Sequence, residues 1–443
     1  MMISLEHEMQ RRANLVEGRH TILLFFLLLL MLSVCCAPGS AAADEIAPGT
    51  TTFGISNHTG IIWRSAQIDG DRIVWAEHIS NIAFAYNIYL YNITTGTETL
   101  ISSLSPDGTG RDTYTGDEHP VAISGNRVIW IEDLGIHMYD ITTGKKSTII
   151  ETPDDSGHLV FRYPGISGDT VVWTEQRFAA ASRTPDIIAY NLTTGKKIVA
   201  SHGAWDKTSV RIDGSRIVWE DYRNDGISRD IYLYDLTTGK ERVICNATGP
   251  QAEPKISGNR IVWSDRRDQN FDVYVYDIAT GEDTVIATGI KEQEAADISG
   301  DLIVWMEWPS MLLYNPYNES NRLMMFDLSS GKEYQVLKDI PNMFAPAISG
   351  NRIIFMDLAH IPADKRDNPV ENPVQEISLF TLDPSSFPLS KPTLVMGVIA
   401  TTPSRVPEVI SPVRTTTQTP GFGTFCALSA LVIGIISIRM RTG

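Results

Sequence analysis

The sequence Ile-Asp-Gly-Ser-Arg-Ile-Val-Trp-Glu-Asp occupies residues 212–221, and Asp-Ile-Tyr-Leu-Tyr-Asp-Leu-Thr-Thr-Gly-Lys follows at residues 230–240. Variants of these two segments recur in the same order along the 443-residue chain. The glycine of the first segment recurs at Gly70, Gly125, Gly168, Gly214, Gly258, Gly300 and Gly350. Its spacing of 42 to 55 residues, filled with short β-rich runs, is typical of the blades of a β-propeller.

Each repeat predicts four short strands. In the fifth repeat they are expected at residues 254–257, 260–263, 272–277 and 282–286, with glycine-containing turns that suit tight antiparallel hairpins. The second strand is apolar on both faces, as in a sheet packed between two others. We therefore predict an all-β fold, a seven-bladed β-propeller of four-stranded antiparallel blades, with a signal helix before it and a membrane helix after it.

The seventh blade departs from the pattern at its end. Pro388 and Pro392 interrupt the run that would form its fourth strand. The segment from Thr51 to Ser56, which precedes the first repeat, is expected to supply this strand and so close the ring.

One position in each second strand carries a large aromatic side chain. These residues are Trp75, Trp130, Trp173, Trp219, Trp263, Trp305 and Phe355. Burial of such a side chain contributes roughly 1.5–3 kcal/mol. The regular placement favours a core role between the blades over a ligand site.

The two ends of the chain have a different composition. Residues 1–43 combine arginines, an apolar run and a small-residue segment, which is typical of a cleaved signal peptide. The propeller is predicted at residues 44–384 and a Pro/Thr/Ser-rich stalk at residues 385–420. Residues 421–443 form an apolar run with a basic end, which predicts a sorting signal or membrane anchor.

Composition limits the function classes. The formal net charge of −16 argues against nucleic-acid binding, which needs a basic footprint. Cys245 is alone within the propeller, so no disulfide is expected there. No Gly-x-Ser-x-Gly elbow, phosphate loop or zinc-type histidine spacing occurs in the sequence.

An acid follows the aromatic residue by two positions in every repeat, and three repeats extend this to acid-x-Arg. We interpret these residues as a structural latch in which the arginine bridges the acid and a second acid that opens the third strand. The three sets are Glu175, Arg177 and Asp186; Asp221, Arg223 and Asp230; and Asp265, Arg267 and Asp272. The alternative is a Ca²⁺ site formed by Asp221, Asn224, Asp225 and Asp230; no other cofactor is expected.

The repeats resemble the Trp-x-Asp-x-Arg units of TolB-like β-propellers, and most of all their archaeal, methanogen-type cell-surface form. The resemblance spans residues 55–385 and is strongest at residues 205–290. The tail, with Pro420-Gly421-Phe422, an apolar run and a basic end, resembles the PGF-type sorting signal of archaeal surface proteins. These resemblances imply an extracellular propeller that binds a ligand or partner and is anchored to the membrane at its C-terminus.

Aromatic residues in the longer loops are the candidate ligand-binding residues, because loops on a rigid scaffold often carry binding sites. They are Trp205, Tyr222, Trp308, Tyr314 and Tyr317. The predicted function is a binding or scaffold module of the envelope for protein or polysaccharide partners. The alternative is a carbohydrate-active hydrolase or lyase that uses two channel-facing carboxylates. The oligomeric state cannot be derived from these patterns.

Five Asn-x-Ser/Thr sequons occur in the sequence. Asn92 and Asn191 stand where other repeats have a turn-forming Asp, so turn chemistry explains them. Asn246 and Asn318 fall in predicted exposed loops and are the candidate glycosylation sites.

Overall fold

The computed structural model describes most of the repeat region. The described residues are 45–58, 61–62, 64–78, 86–103, 120–132, 135–151, 159–177, 185–203, 205–308, 320–341, 343–358 and 375–387. The predicted signal peptide, nearly all of the stalk and the C-terminal anchor lie outside these ranges. Within them, no helix is long and apolar enough to cross a membrane.

The described residues form seven four-stranded antiparallel sheets, as the repeats predict. Blade one has β2 Gln67–Asp69, β3 Arg72–His78, β4 Tyr86–Asn92 and β5 Thr97–Ser103. Blade two has β6 Val121–Ser124, β7 Arg127–Glu132, β8 Gly135–Asp140 and β9 Lys145–Glu151. Blade three has β10 Leu159–Ser167, β11 Thr170–Arg177, β12 Asp186–Asn191 and β13 Lys197–Ser201. Blade four has β14 Lys207–Asp213, β15 Arg216–Asp221, β16 Asp230–Asp235 and β17 Lys240–Cys245.

The last three blades follow the same plan. Blade five has β18 Gln251–Ser257, β19 Arg260–Asp265, β20 Asp272–Asp277 and β21 Glu282–Ala287. Blade six has β22 Glu292–Ser299, β23 Leu302–Trp308, β24 Ser320–Asp327 and β25 Lys332–Pro341. Blade seven has β26 Phe344–Ser349, β27 Arg352–Leu358 and β28 Gln375–Leu382, and its fourth strand is β1 Gly49–His58.

The pairing of β1 with β28 confirms that the segment before the first repeat completes the seventh blade. The two strands are antiparallel, with Thr51 opposite Phe380 and Ser56 opposite Ile377. Phe387 lies beyond β28 and is only 4% exposed, with its ring 5.2 Å from that of Tyr334 in blade six. The packed region therefore extends three residues past the boundary expected at residue 384.

The apolar core is divided among the seven interfaces between neighbouring blades. Each of the seven buried clusters combines residues from two adjacent blades. The repeated aromatic residues lie at these interfaces and are at most 1% exposed. The interpretation of these aromatics as core side chains agrees with their burial, since no face of them is left for a ligand.

A hydrogen bond also links every blade to the next at the repeated glycine. The residue before the glycine, Ser or Asp, accepts a hydrogen bond from the glycine N–H of the following blade. The seven donor and acceptor pairs are Gly70 with Ser349, Gly125 with Asp69, Gly168 with Ser124, Gly214 with Ser167, Gly258 with Asp213, Gly300 with Ser257 and Gly350 with Ser299. The Gly70–Ser349 bond joins the first and last blades, so this series of bonds closes on itself.

Candidate functional site

Two regions of the propeller have the geometry of a site: the central channel and one face of the disc. The first strands of all seven blades surround a cavity of about 290 Å³. Because the strands alternate in direction, the short glycine turns lie at one face. The links between blades and the loops joining second to third strands lie at the other, which we call the loop face.

An ion pair crosses the channel. Arg64, which precedes β2 in blade one, forms an ion pair with Glu253 in β18 of blade five. Both residues line the cavity, and their side chains are only 15% and 22% exposed. Since blades one and five stand on different sides of the channel, this contact fills part of the space that a ligand entering the channel would need.

A second carboxyl group lies near this ion pair. Burial raises the pKa of Glu294 in β22, and the charge of Glu292 adds to the shift, whereas the Arg64 guanidinium opposes it. Glu253 contacts the Arg64 guanidinium, whereas burial holds the pKa of Glu294 above its ordinary value. Acid–base catalysts place their two carboxyl groups in different environments.

The strands around the channel carry a repeated irregularity that the sequence reasoning missed. The first strands of blades three to seven each have a register shift near their middle. At each shift a non-glycine residue has a φ between 51° and 58°: Tyr163, Ser209, Glu253, Ala295 and Ala345. Such left-handed backbone is costly for residues with a Cβ and clusters where a side chain must be aimed, here around the channel.

Trp205 is the aromatic residue that stands out on the loop face. It lies in the link between β13 and β14, and 45% of its surface is exposed. The indole ring covers Gly226 in the loop between β15 and β16, because a Cβ built at Gly226 would lie 2.6 Å from Cζ3. Gly226 also has a φ of 74°, so two independent constraints require glycine here.

Lys207 fixes the backbone that carries this tryptophan. Its side chain is fully buried, and Nζ donates hydrogen bonds to the carbonyl oxygens of Trp205 at 3.1 Å and Pro185 at 3.2 Å. Burial lowers the pKa of this ammonium group, and the Asp221 carboxylate partly opposes the shift. A buried, doubly hydrogen-bonded lysine holds the Trp205 segment in one position.

The other candidate ligand-binding residues are less exposed than Trp205 or lie outside the described residues. Tyr222 is half-buried near Trp205, and its backbone N–H donates to the carbonyl of Asp206 at 3.2 Å. Trp308 is also half-buried and packs against the apolar clusters of blades six, seven and one. Tyr314 and Tyr317 lie outside the described residues. Trp205 is therefore the candidate with a well-exposed ring in the described part of the chain.

The latch differs from the expectation in its second partner. Arg223 lies 2.5 Å from Asp221, as expected, but its other nitrogen lies 2.5 Å from Glu241 in the outer strand β17. Asp230, the expected partner, instead accepts a hydrogen bond from the Asn224 amide. The guanidinium also stacks over the Tyr232 ring, with its central carbon 4.2 Å from the ring centroid.

Blade five repeats this arrangement and corrects the same expectation. Arg267 lies 2.6 Å from Asp265 and 3.4 Å from Asp283 in the outer strand. Asp272 accepts a hydrogen bond from Asn270 at 3.2 Å and not from the arginine. Burial raises the pKa of Asp272 to about 6. In both blades the arginine contacts one acid in the second strand and one in the outer strand. The outer strand, not the third strand, therefore supplies the second carboxylate.

In blade three, other basic residues contact the corresponding acids. Lys197 in β13 lies 2.6 Å from Glu175, and His202 lies 2.6 Å from Asp186. The side chain of Arg177 lies outside the described part of the structure. In blade one the partner is His58, whose Nδ1 is 2.9 Å from Glu77 and whose Nε2 is 3.0 Å from Glu98. The acid two positions after the aromatic residue thus contacts a basic side chain in all four of these blades, but the type of that side chain differs between blades.

The proposed Ca²⁺ ligands are engaged by donors of the protein. Asp221 accepts hydrogen bonds from Trp219 and Arg223, and Asp225 accepts them from the backbone N–H groups of Ile227 and Ser228. Among the described residues, no three His, Cys, Asp or Glu side chains are grouped as a metal site would require. Asn224 and Asp230 are also hydrogen-bonded to each other.

Only one of the two candidate glycosylation sites lies among the described residues. Asn246 is exposed in the link between β17 and β18, whereas Asn318 lies outside the described residues. Asn92 and Asn191 each accept a turn hydrogen bond, from the N–H groups of Thr95 at 3.0 Å and Thr194 at 2.8 Å. Their side chains serve the turns, as the sequence predicts.

Comparison with known proteins supports the fold. Oligogalacturonate lyase from Vibrio parahaemolyticus is similar over 78% of this chain and 100% of its own, with 13% identity and a TM-score of 0.52. A puromycin-hydrolyzing peptidase from Mycobacterium tuberculosis is similar over 71% of this chain and 53% of its own, with 12% identity and a TM-score of 0.53. TolB from Acinetobacter baumannii is similar over 63% of this chain and 67% of its own, with 17% identity and a TM-score of 0.41.

The seven four-stranded sheets define the class of protein, a β-propeller, and the similarities to the lyase and the peptidase agree with this fold. At such identities they show the fold alone, and this chain spans about half the length of the peptidase. No protein-family model matches the chain, and no curated protein sequence matches it. The function must therefore be argued from the channel and the loop face.

Proposed function

We propose that this protein is a binding or scaffold module of the cell envelope, which engages polysaccharide or protein partners through the loop face of its propeller. The observation that carries this proposal is Trp205, a well-exposed indole on the loop face. Exposed aromatic surface on a rigid scaffold is typical of ligand and partner sites. The buried Lys207 ammonium, which holds this segment, argues that the position of the ring is selected rather than incidental.

The channel supports binding over catalysis. The Arg64–Glu253 ion pair crosses it, so Glu253 would have to lose its cation partner before it could act as a base. The closed series of glycine hydrogen bonds and the pairing of β1 with β28 make the disc one cooperative unit. Such a unit presents its loops in a fixed arrangement and needs no moving part to bind.

The location follows from the ends of the sequence. Residues 1–43 direct export, the residues that follow Phe387 up to residue 420 act as a stalk, and residues 421–443 attach the protein to the membrane, with or without processing of the sorting signal. The resemblance of this tail to the archaeal PGF-type signal supports a cell-surface glycoprotein in an archaeal envelope. Asn246, which is exposed, is the glycosylation site this proposal assigns in the described part of the chain.

The test is binding of the purified full-length protein to a glycan array and to envelope extracts, with and without Ca²⁺. Saturable binding of a ligand that is recovered intact is the expected result. Loss of binding on removal of Ca²⁺ would restore the metal role of Asp221, Asn224, Asp225 and Asp230. Absence of binding to every glycan and every envelope fraction would overturn the proposal.

The alternative function is a carbohydrate-active hydrolase or lyase on the same scaffold. The contrast between Glu253, beside Arg64, and Glu294, whose pKa burial raises, favours it. Glycoside cleavage uses two carboxyl groups in different environments, and Glu253 and Glu294 are the candidates for these roles. If the ligand is recovered shortened, and Glu294→Gln prevents the shortening without preventing binding, the alternative replaces the binding module.

A further inference from the structure

The contact between Trp205 and Gly226 leaves the indole as a platform. Gly226 lies so close to the six-membered ring that any side chain there would collide with it, and the outward part of the indole remains exposed. Ile227, the next residue in this loop, is 83% exposed and extends the apolar surface. A flat apolar surface of this kind is suited to a ligand with its own flat apolar face.

Exposed carboxylates flank the platform. Asp206 follows Trp205 in the chain, and Asp225 precedes Gly226; both are exposed. Oδ1 of Asp225 accepts hydrogen bonds from the N–H groups of Ile227 at 2.8 Å and Ser228 at 2.6 Å, which fixes the direction of the carboxylate. These bonds also lower the pKa of Asp225, so it stays ionised at neutral pH.

From this arrangement we infer that Trp205 and the backbone at Gly226 form a stacking platform for a neutral pyranose ring of an envelope polysaccharide. The inference rests on the proposed function and names its ligand class and site. The C–H face of the sugar lies on the indole, and its hydroxyl groups donate to Asp206 and Asp225, which are strong acceptors when ionised. The same carboxylates repel a polymer that carries carboxylate or sulfate groups, as does the net charge of −16.

Lys207 is the positioning residue of this site. It touches no ligand, but Nζ donates hydrogen bonds to the backbone carbonyl oxygens of Pro185 and Trp205, and the second bond fixes the position of the Trp205 backbone. Its burial means that a substitution there tests folding and positioning together. The decisive substitution is therefore made at Trp205, whose ring is exposed.

The experiment measures the affinity of the full-length protein for a mannan, a neutral β-glucan and a polyglucuronate by titration calorimetry. Trp205→Ala should weaken binding of the neutral polymer at least about tenfold, because stacking anchors of this kind dominate binding energies. Gly226→Ala keeps the indole but places a methyl group where the ring now lies, so it should weaken binding several-fold. Val243→Ala, which trims a 44%-exposed aliphatic side chain in β17 of the same blade, should leave the affinity within about twofold.

The outcomes separate this inference from the proposed function. If the wild-type protein binds a neutral polysaccharide and Trp205→Ala binds it equally well, the platform is wrong and the binding module stands. Binding of polyglucuronate alone, or of an envelope protein alone, also overturns the platform while the module remains. If neither polysaccharides nor envelope extracts bind, both fail. Thermal melts of each variant identify any loss of affinity that comes from unfolding.

Discussion

His58 Nδ1 lies 2.9 Å from a carboxylate oxygen of Glu77, although His58 belongs to the strand that completes blade seven and Glu77 to the second strand of blade one. The imidazole ring also lies 4.4 Å from the Tyr89 ring, and Nε2 reaches Glu98 at 3.0 Å. It occupies the place that a guanidinium takes in blades four and five, between two acids and over a tyrosine. One side chain therefore joins the last blade to the first and replaces the arginine that blade one lacks.

Replacement of His58 by alanine should lower the free energy of unfolding by about 1–2 kcal/mol, because Glu77 loses a hydrogen-bond partner in a side-chain environment that is only 11% exposed. Urea unfolding followed by fluorescence measures the change. His202→Ala is the matched control, since His202 also contacts an acid but its side chain is 81% exposed. That control should change stability by less than about 0.5 kcal/mol. Equal effects of the two substitutions would contradict a role for His58 in ring closure.

The Arg64–Glu253 ion pair across the channel should show strong coupling. In a double-mutant cycle of Arg64→Gln and Glu253→Gln, the interaction energy should be at least about 1 kcal/mol, because the partners are largely shielded from water. The Lys332–Glu45 pair is the control: it has a 3.1 Å contact, but both side chains are more than half exposed. Its coupling should be much weaker than that of the channel pair, because water screens an exposed ion pair. A channel pair no stronger than the control would mean that water fills the channel and screens it.

Asp272 predicts a specific pH dependence. Its carboxyl has a folded-state pKa of about 6, above the ordinary value of 3.8, so the folded state holds the proton more tightly than the unfolded chain. Its contribution to stability is therefore present below pH 4 and is lost as the pH rises to about 6. Asp272→Asn, which keeps an acceptor for Asn270, should be the more stable protein at pH 7 by up to about 2–3 kcal/mol.

Unfolding in urea at pH 4, 5, 6 and 7 tests this prediction through the difference between wild type and variant. The difference should grow from pH 4 to pH 6 and then level off. Asp268→Asn is the control, because Asp268 is exposed and only adds to the shift at Asp272. A difference for Asp272→Asn that does not change with pH would show that the buried carboxyl is ionised throughout.

Phe387 should contribute to the propeller although it lies beyond the last strand. Phe387→Ala removes a ring that is 4% exposed and packs edge-on against Tyr334, so it should lower the free energy of unfolding by about 3 kcal/mol. Phe53→Ala in β1 is the comparison, because Phe53 is 56% exposed and should cost much less. Thermal and urea unfolding of the two variants measures the two losses of stability. If Phe387→Ala behaves like Phe53→Ala, the packed region ends before residue 387.

The sequence predicts the fold well because each repeat contains its own strands, turns and core aromatic residue. The number of blades, the burial of the tryptophans and the completion of blade seven by the segment around Thr51 all follow from patterns within a repeat or from a gap in one. Contacts between repeats are harder to predict. The Gly70–Ser349 bond joins residues 279 positions apart, and the Ile-Ser-Gly pattern indicates only a turn.

The candidate site is less predictable for the same reason. Arg223 was expected to bridge to Asp230, nearby in sequence, but Glu241 in the outer strand lies nearer in space. Nothing in the local sequence of Arg64 indicates that it reaches Glu253 in blade five. Trp205 could be proposed as an exposed aromatic, but its contact with Gly226 depends on how the link and the loop fold against each other.

The position of β1 also has a mechanical consequence. The C-terminal end of the propeller leaves from β28, which is hydrogen-bonded on one side to β27 and on the other to β1. A pulling force applied beyond Phe387 therefore enters through an interior strand, and two neighbouring strands share the load along their length. In a propeller whose last strand lay at the edge of its blade, such a force would break the hydrogen bonds one at a time. Here β1 covers that edge, so the bonds on both sides of β28 resist the force together.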